Sequence, residues 1–359
     1  MNPALPNLDQ QKTYTETDPS DAYHRLMDLG GQIRTAWQIA LDWAPPALPA
    51  PPRAVIIAGM GGSAIGGDLV RSITADQATI PLLVHRNYGL PAYAGAHTLV
   101  VASSYSGNTE ETLSAADEAQ RRGAPLIAVT TGGELARRAA AWGTAVLPFE
   151  YPAQPREALG YSIMLLLGAL VRLELLPDPT PEVESTAIVL ETLSREIERD
   201  VPSTQNPAKE LAHWLHGHVP AIYGSDLLAP VARRWKGQFN ENVKSWAEAG
   251  ELPEMDHNVI SGTTQPVGFF QSLRGIFLNS SLGHPRNRLR LEATRHLFAE
   301  AGIACRTVSG RGDSPLAQVL TTVLLGDATS YYLAMLYGMD PGTIPAIVAL
   351  KELLARESS

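Results

Sequence analysis

Between residues 53 and 149, five short apolar runs, "RAVIIAG", "IPLLVHR", "HTLVVAS", "PLIAVT" and "TAVLPF", are separated mostly by stretches of helical composition. This alternation constrains the fold more than any other feature of the chain. Short strands apolar throughout need cover on both sides, and helices between them supply it, so the pattern predicts a parallel sheet with helices on both faces. An amphipathic helix over residues 20–43 and the Pro-rich spacer "APPALPAPP" precede the first run. The three prolines of "PDPTPEV", residues 177–183, predict a linker. A less regular series follows, with "HVPAIYGS", "QPVGFFQSL" and "IACRTVSG" as strands and "LAPVARRWKGQFNENVKSW" and "LRLEATRHLFAEAG" as helices. Helices over 315–339 and 344–356 close the chain. The strand, glycine and helix order of "VIIAGMGGSAIGGDL" returns faintly in "PAIYGSDLLAPVARRW" and reads as a distant duplication of one α/β unit. With 359 residues there is chain enough for two cores, and the expected division is 1–178 and 179–359.

The formal charge is −9, from 28 basic and 37 acidic residues, with no basic run. Neither nucleic acid nor an anionic membrane is an expected partner of such a chain, so any anion site must be local, built from oriented dipoles and a few placed cations. The only cysteine, Cys305, lies in "GIACRTV" and reads as a buried, inert thiol. The polar N-terminus shows no secretory pattern. The apolar runs "YSIMLLLGALVRLELL" and "VLTTVLLGDATSYYLAMLYGM" are interrupted by Arg172 with Glu174 and by Asp327, which fits buried helices of a cytoplasmic protein. "RGD" at Arg311 to Asp313 reads as a turn.

Directly after the apolar run "HTLVVA" comes "SSYSGNTEET", which gathers Ser104, Ser106 and Thr109 at the mouth of a strand and the start of a helix. Exposed backbone N–H groups point outward there and the helix dipole is positive, so hydroxyls can bind an anion without a cation. An N-cap would account for one such hydroxyl, not for the group. The loop "GMGGSAIGGDLV" also joins a strand to a helix, but it departs from the dinucleotide spacing, with Ala64 in the last glycine place. The next strand ends in His85 and Arg86 rather than in an acid to hold a ribose. Gly61, Gly62 and Ser63 serve equally to let a ligand approach the backbone. Loops at the carboxyl ends of neighbouring parallel strands face one crevice, so a small phosphorylated metabolite is the natural ligand.

Further on, "NENVKSWAEAGELPEMDHNVI" holds Glu241 and, sixteen residues later, His257. By spacing alone Glu241 reads as a surface carboxylate and His257 as a helix-cap or core residue. His213, His216 and His218 invite a metal reading, but no carboxylate or cysteine completes the set, and a segment running from helix into strand turns the rings apart.

The elements "GMGGSAIGGD", "SSYSGNTEET", "PREALGYS", "RRWKGQFNENVK", "LPEMDHN" and "LKELL" resemble, in the same order, those of the bifunctional phosphoglucose/phosphomannose isomerases. These belong to the sugar isomerase (SIS) domain superfamily, and the resemblance runs from about residue 53 to the end. It implies two SIS-type doubly wound subdomains and a hexose 6-phosphate substrate. Ser104, Ser106 and Thr109 would then hold the phosphate, with Gly61, Gly62 and Ser63 along the sugar. Arg156 would stand near C1 and C2, Glu241 would be the base, and His257 and Lys351 would serve ring opening. The resemblance also implies a homodimer with His257 acting in trans, and no cofactor or metal. One departure is "DPGTIP", residues 340–345, where the family has Asp-Pro-Thr-Pro. It bears on sugar selectivity near Lys351.

Aldose and ketose interconvert when a proton moves between C1 and C2 through an enediolate, which needs one base reaching both carbons and a fixed positive group at the oxyanion. A carboxylate and a guanidinium suit these tasks. A non-catalytic SIS module that senses sugar phosphates is the alternative; it would keep the hydroxyl loop but would not need Glu241, Arg156, His257 and Lys351 together. A nucleotide-dependent oxidoreductase is the third reading.

Overall fold

The computed structural model describes residues 5–357, and the chain divides into two compact units. One comprises Asp28–Leu190 with Gly312–Val319; the other comprises the described residues as far as Met27, Glu191–Arg311 and the stretch from Leu320.

All five strands expected in the first series are present: β1 (Ala54–Ala58), β2 (Leu82–His85), β3 (Thr98–Ser103), β4 (Leu126–Thr130) and β5 (Ala145–Pro148). They form one parallel sheet in the order β2-β1-β3-β4-β5. Every residue of β3 is buried, as a central strand covered on both faces must be. The order reverses between β1 and β3, so the crevice outside their carboxyl ends is where such a sheet accepts a ligand.

Two helices, Leu29–Asp42 and Leu159–Arg172, pack closely in this unit: a Cβ on Gly168 would lie 2.3 Å from the Ala40 Cβ. Buried Gln32 donates to the Glu157 carbonyl (2.8 Å) and accepts from the Gly160 N–H (3.0 Å). These contacts fix the start of the second helix and the residues just before it. The helix expected over 20–43 is in fact two, Ala22–Met27 and Leu29–Asp42, and the chain passes from one unit to the other between them.

The second unit carries β6 (Val219–Ser225), β7 (Glu248–Leu252), β8 (Leu273–Asn279) and β9 (Ala304–Ser309), all parallel, in the order β7-β6-β8-β9. The relation of first, second, third and fourth strand is the same in both sheets. Three details differ from expectation. "QPVGFFQSL" is a series of bends and a 3-10 turn, and β8 begins only at Leu273. The helix expected through Trp246 stops at Gln238 and widens into a π turn, Phe239–Val243. The 177–183 linker is already helical from Thr180.

The N-terminal residues join this second unit through buried charges. Lys209, fully buried, donates from Nζ to the carbonyls of Leu8 (2.8 Å), Arg199 (2.7 Å) and Val201 (2.9 Å) and to the Asp9 carboxylate (3.0 Å). Arg199 lies 3.8 Å from the Tyr23 ring centroid and 4.9 Å from that of Tyr14, and it donates to Asp18 (3.0 Å). Cation–π contacts of this kind strengthen when desolvated. Helix Pro315–Tyr337 is long and apolar enough to cross a membrane, but 94% of its apolar window is buried inside the protein, as for a core helix.

Candidate functional site

In the first unit the two loops at the β1 and β3 ends meet. A Cβ on Gly59 would stand 2.8 Å from the Ser103 carbonyl oxygen, so the β1 loop can only run there without a side chain. Gly61, at φ +51°, opens the Gly61–Ile73 helix, and an added Cβ would meet nothing within 4 Å. Gly62 differs: its Cβ would lie 2.7 Å from the Pro155 carbonyl oxygen. The Ser162 hydroxyl also donates to the Gly62 carbonyl (3.2 Å). The segment carrying Arg156 is therefore seated directly on Gly62, with Arg156 itself only 4% exposed.

The hydroxyl loop is ordered by its own side chains. The oxygens of Ser104 and Thr109 are 2.9 Å apart, and Ser104 Oγ accepts from the Gly107 N–H (3.1 Å). Thr109 is the N-cap residue of the Glu110–Arg122 helix, but its side chain caps no backbone N–H. The capping explanation thus does not account for these hydroxyls, which converge instead at the helix N-terminus. Ser106 is exposed, and its hydroxyl accepts from the Asn108 N–H (3.2 Å). Asn108 caps the next helix rather than its own, accepting from the Glu134 N–H (3.0 Å). Tyr105 ties the loop to the Arg156 segment: its hydroxyl donates to the Tyr151 carbonyl and accepts from the Ala153 N–H (3.0 Å).

Gly107 sets the loop's shape. It sits at φ +68°, where glycine is favoured, and a Cβ there would come within 1.9 Å of the Gly132 carbonyl oxygen. Gly107→Ala must move the loop backbone. For an anion held by this loop, the expected outcome is a dissociation constant raised by roughly 10- to 100-fold, the scale of ångström-level misplacement of a binding group, read by calorimetric titration with inorganic phosphate.

The second unit places the other three residues on separate elements. Glu241 is half-buried in the π turn that ends at Lys244, itself held at φ +58°. The Lys244 ammonium donates to the Asp340 carbonyl, tying this turn to the segment before the Pro345–Glu357 helix, where Lys351 is exposed. His257 ends the 3-10 turn Glu254–His257 after β7 and is exposed. Its neighbour Asp256 anchors the turn, accepting from Thr294 Oγ1 (2.8 Å) and from Arg290 (3.3 Å). The structure thus brings the Arg156 segment onto Gly62 and the β1 loop against the β3 end that leads to Ser104 and Thr109, while Glu241, His257 and Lys351 lie on three different elements of the other unit.

The second sheet also has a counterpart of the hydroxyl loop, after β8. Here the Asp226 carboxylate already sits at the start of the Pro285–Glu300 helix, accepting from the His284 N–H (3.1 Å) and from Asn287 Nδ2 (2.7 Å). A fixed carboxylate at that dipole repels a phosphate, so the two crevices are not equivalent. The sequence carries no periodic signal for this contact, because Asp226 and His284 lie far apart in the chain.

His213, His216 and His218 do not converge. Among the described residues no group of three or more His, Cys, Asp or Glu side chains is placed to hold a metal. The His216 ring stacks on Tyr337 at 4.5 Å, and burial, then the neighbouring His213 and His218, lower its pKa. The Cys305 thiol is half-buried, and burial pushes its pKa up to about 11, as expected of an inert thiol.

A model of the bacterial phospho-glucose isomerase C-terminal SIS domain matches residues 204–354, and a SIS domain model matches residues 50–154. The chain is 40% identical to a bifunctional phosphoglucose/phosphomannose isomerase of Caldicellulosiruptor bescii, over 93% of this chain and 98% of that one. It is 34% identical to a protein of the same description from Aquifex aeolicus, over 86% and 92%. Among solved structures, a glucose-6-phosphate isomerase like protein from Thermus thermophilus aligns with a TM-score of 0.64 at 21% identity, covering 97% of this chain and 99% of that one, which is a likeness of fold.

Proposed function

The chain belongs to the bifunctional phosphoglucose/phosphomannose isomerase family, and from that premise we propose that it interconverts glucose 6-phosphate and mannose 6-phosphate with fructose 6-phosphate. The observation that carries this reading is the seating of the Arg156 segment on Gly62 beside the converged hydroxyls of Ser104 and Thr109. Hydroxyls at a helix N-terminus beside the backbone segment that bears Arg156 support a phosphate ester held by neutral donors, with a guanidinium near the sugar.

In this mechanism Ser104, Ser106 and Thr109 hold the phosphate, and Gly61, Gly62 and Ser63 line the sugar. Binding energy from the remote phosphate orients the reacting carbons. His257 and Lys351 open the ring: a proton leaves the C1 hydroxyl and another is delivered to the ring oxygen. Glu241 then takes the C2 proton of the open aldose, and the electrons of that C–H bond form the enediolate. Arg156 stabilises the oxyanion, staying charged throughout. Return of the proton to C1, with the O2 hydroxyl proton passing to O1, gives the ketose. Glucose and mannose 6-phosphates differ only at C2, so rotation about the C2–C3 bond of the open chain lets one base serve both. The working form in this reading is a cytoplasmic homodimer with His257 supplied in trans. The boundary at 178/179 separates the two matched segments, although the described residues as far as Met27 pack in the unit of the second sheet and Gly312–Val319 in that of the first.

A coupled assay for fructose 6-phosphate formation from each aldose, with and without chelator, tests the proposal. Formation from both substrates, at rates indifferent to chelator, is expected. Binding of either ester without turnover would instead identify a sugar-phosphate sensor, and quenching by a nicotinamide nucleotide would point to an oxidoreductase.

A further inference from the structure

Glu241 does not stand on a regular helix. The Ala229–Gln238 helix runs straight into a π turn over Phe239–Val243, a widened geometry that is less stable than an α-turn and that persists where neighbouring contacts determine it. Those contacts come from helix Pro315–Tyr337. Asn242, 2% exposed, donates from Nδ2 to the Ser330 hydroxyl at 2.9 Å. Ser330 is fully buried, and its own proton goes to the Asp327 carbonyl at 2.7 Å. A serine hydroxyl has a single proton, so with that proton committed Ser330 can only accept from Asn242, and the amide has one orientation. Two helical turns earlier, Arg234 makes a paired contact with the Asp327 carboxylate at 2.7 and 3.1 Å, both side chains nearly fully buried. The polar strip therefore clamps the end of one helix to the other on both sides of Gln238, before and after the residue that carries the base.

We propose that Asn242, anchored by Ser330, is the positioning residue for Glu241: it holds the π turn so that the neighbouring carboxylate stays at the reacting carbons. The inference rests on Glu241 being the base. Asn242 itself need not touch substrate. Backbone displacement at residue 242 moves residue 241 directly, and a shift of about 1 Å in a proton-transfer group costs up to about 100-fold in rate. The phosphate-holding hydroxyls lie on other elements, so substrate binding does not depend on this contact.

The test compares Asn242→Ala, Ser330→Ala, their double variant and Glu241→Gln, each in the full-length protein, by initial rates with fructose 6-phosphate and by thermal melting. Asn242→Ala should lower kcat by about 10- to 100-fold with KM within about twofold of the parent, while the protein remains folded at the assay temperature. A purely structural residue would lower kcat only in proportion to the folded fraction. The double variant should lose no more than the worse single variant, because Ser330 acts through Asn242. If Glu241→Gln is inactive but Asn242→Ala turns over normally, or if the two alanine effects multiply, the positioning role is overturned while the base assignment stands. If Glu241→Gln turns over normally, both fall.

Discussion

Glu241→Gln leaves a protein that binds fructose 6-phosphate and turns it over more slowly by about two to four orders of magnitude, the loss expected when a general base is removed. Glutamine keeps the length and shape of the side chain but has no basic oxygen, so the C1 proton of the ketose has no acceptor. In the proposed mechanism the phosphate is held by Ser104, Ser106 and Thr109 rather than by Glu241, so KM should change little. A rate loss at constant KM is the signature of an interaction made in the transition state alone. Initial-rate kinetics together with equilibrium binding of fructose 6-phosphate decide the matter, and a Gln variant with ordinary turnover would refute the assignment.

Removing one partner of the buried pair between Arg234 and Asp327 should damage the fold rather than the chemistry. The two side chains are 4% and 6% exposed. Burial raises the pKa of the Asp327 carboxyl, and the guanidinium pulls it back down. Asp327→Ala strips the buried guanidinium of its carboxylate, which costs about 3–5 kcal/mol in comparable cases. Exchanging both partners for apolar residues of similar volume is often neutral by comparison. The expected result in urea unfolding is a large drop in midpoint for Asp327→Ala and a much smaller one for Arg234→Met with Asp327→Leu. Equal losses in the single and double variants would show that the ion pair itself, rather than a stranded charge, supports this helix pair.

The first sheet was legible because its five strands are apolar throughout and separated by helices of ordinary length, so composition and spacing agree. The second sheet was less so. β7, "EAGEL", is an edge strand that pairs only with β6, and an edge tolerates the glutamates that conceal it from a search for apolar runs. The apolar stretch "PVGFF" looked like a strand, yet β8 is formed by the following "LRGIFLN", whose central residues are buried. Asn242 was visible only as a flank of Glu241, since nothing local indicates that its amide will find Ser330 on a distant helix.

The residues for moving a proton on a sugar phosphate came only from the family resemblance, but by itself the sequence determined the parallel α/β character of the chain and the two ligand-facing loops of the first sheet. These follow from local rules of strand apolarity, glycine conformation and hydroxyls at a helix start. Only the tertiary structure decided that the Arg156 segment sits against Gly62, that the Asp226 carboxylate takes the helix start after β8, that the N-terminal residues join the second unit through Lys209 and Arg199, and that a π turn carries Glu241. Each of these depends on partners tens to hundreds of residues apart or on a local distortion that distant contacts sustain, and hydrogen bonds and burial of that kind leave no period in the chain.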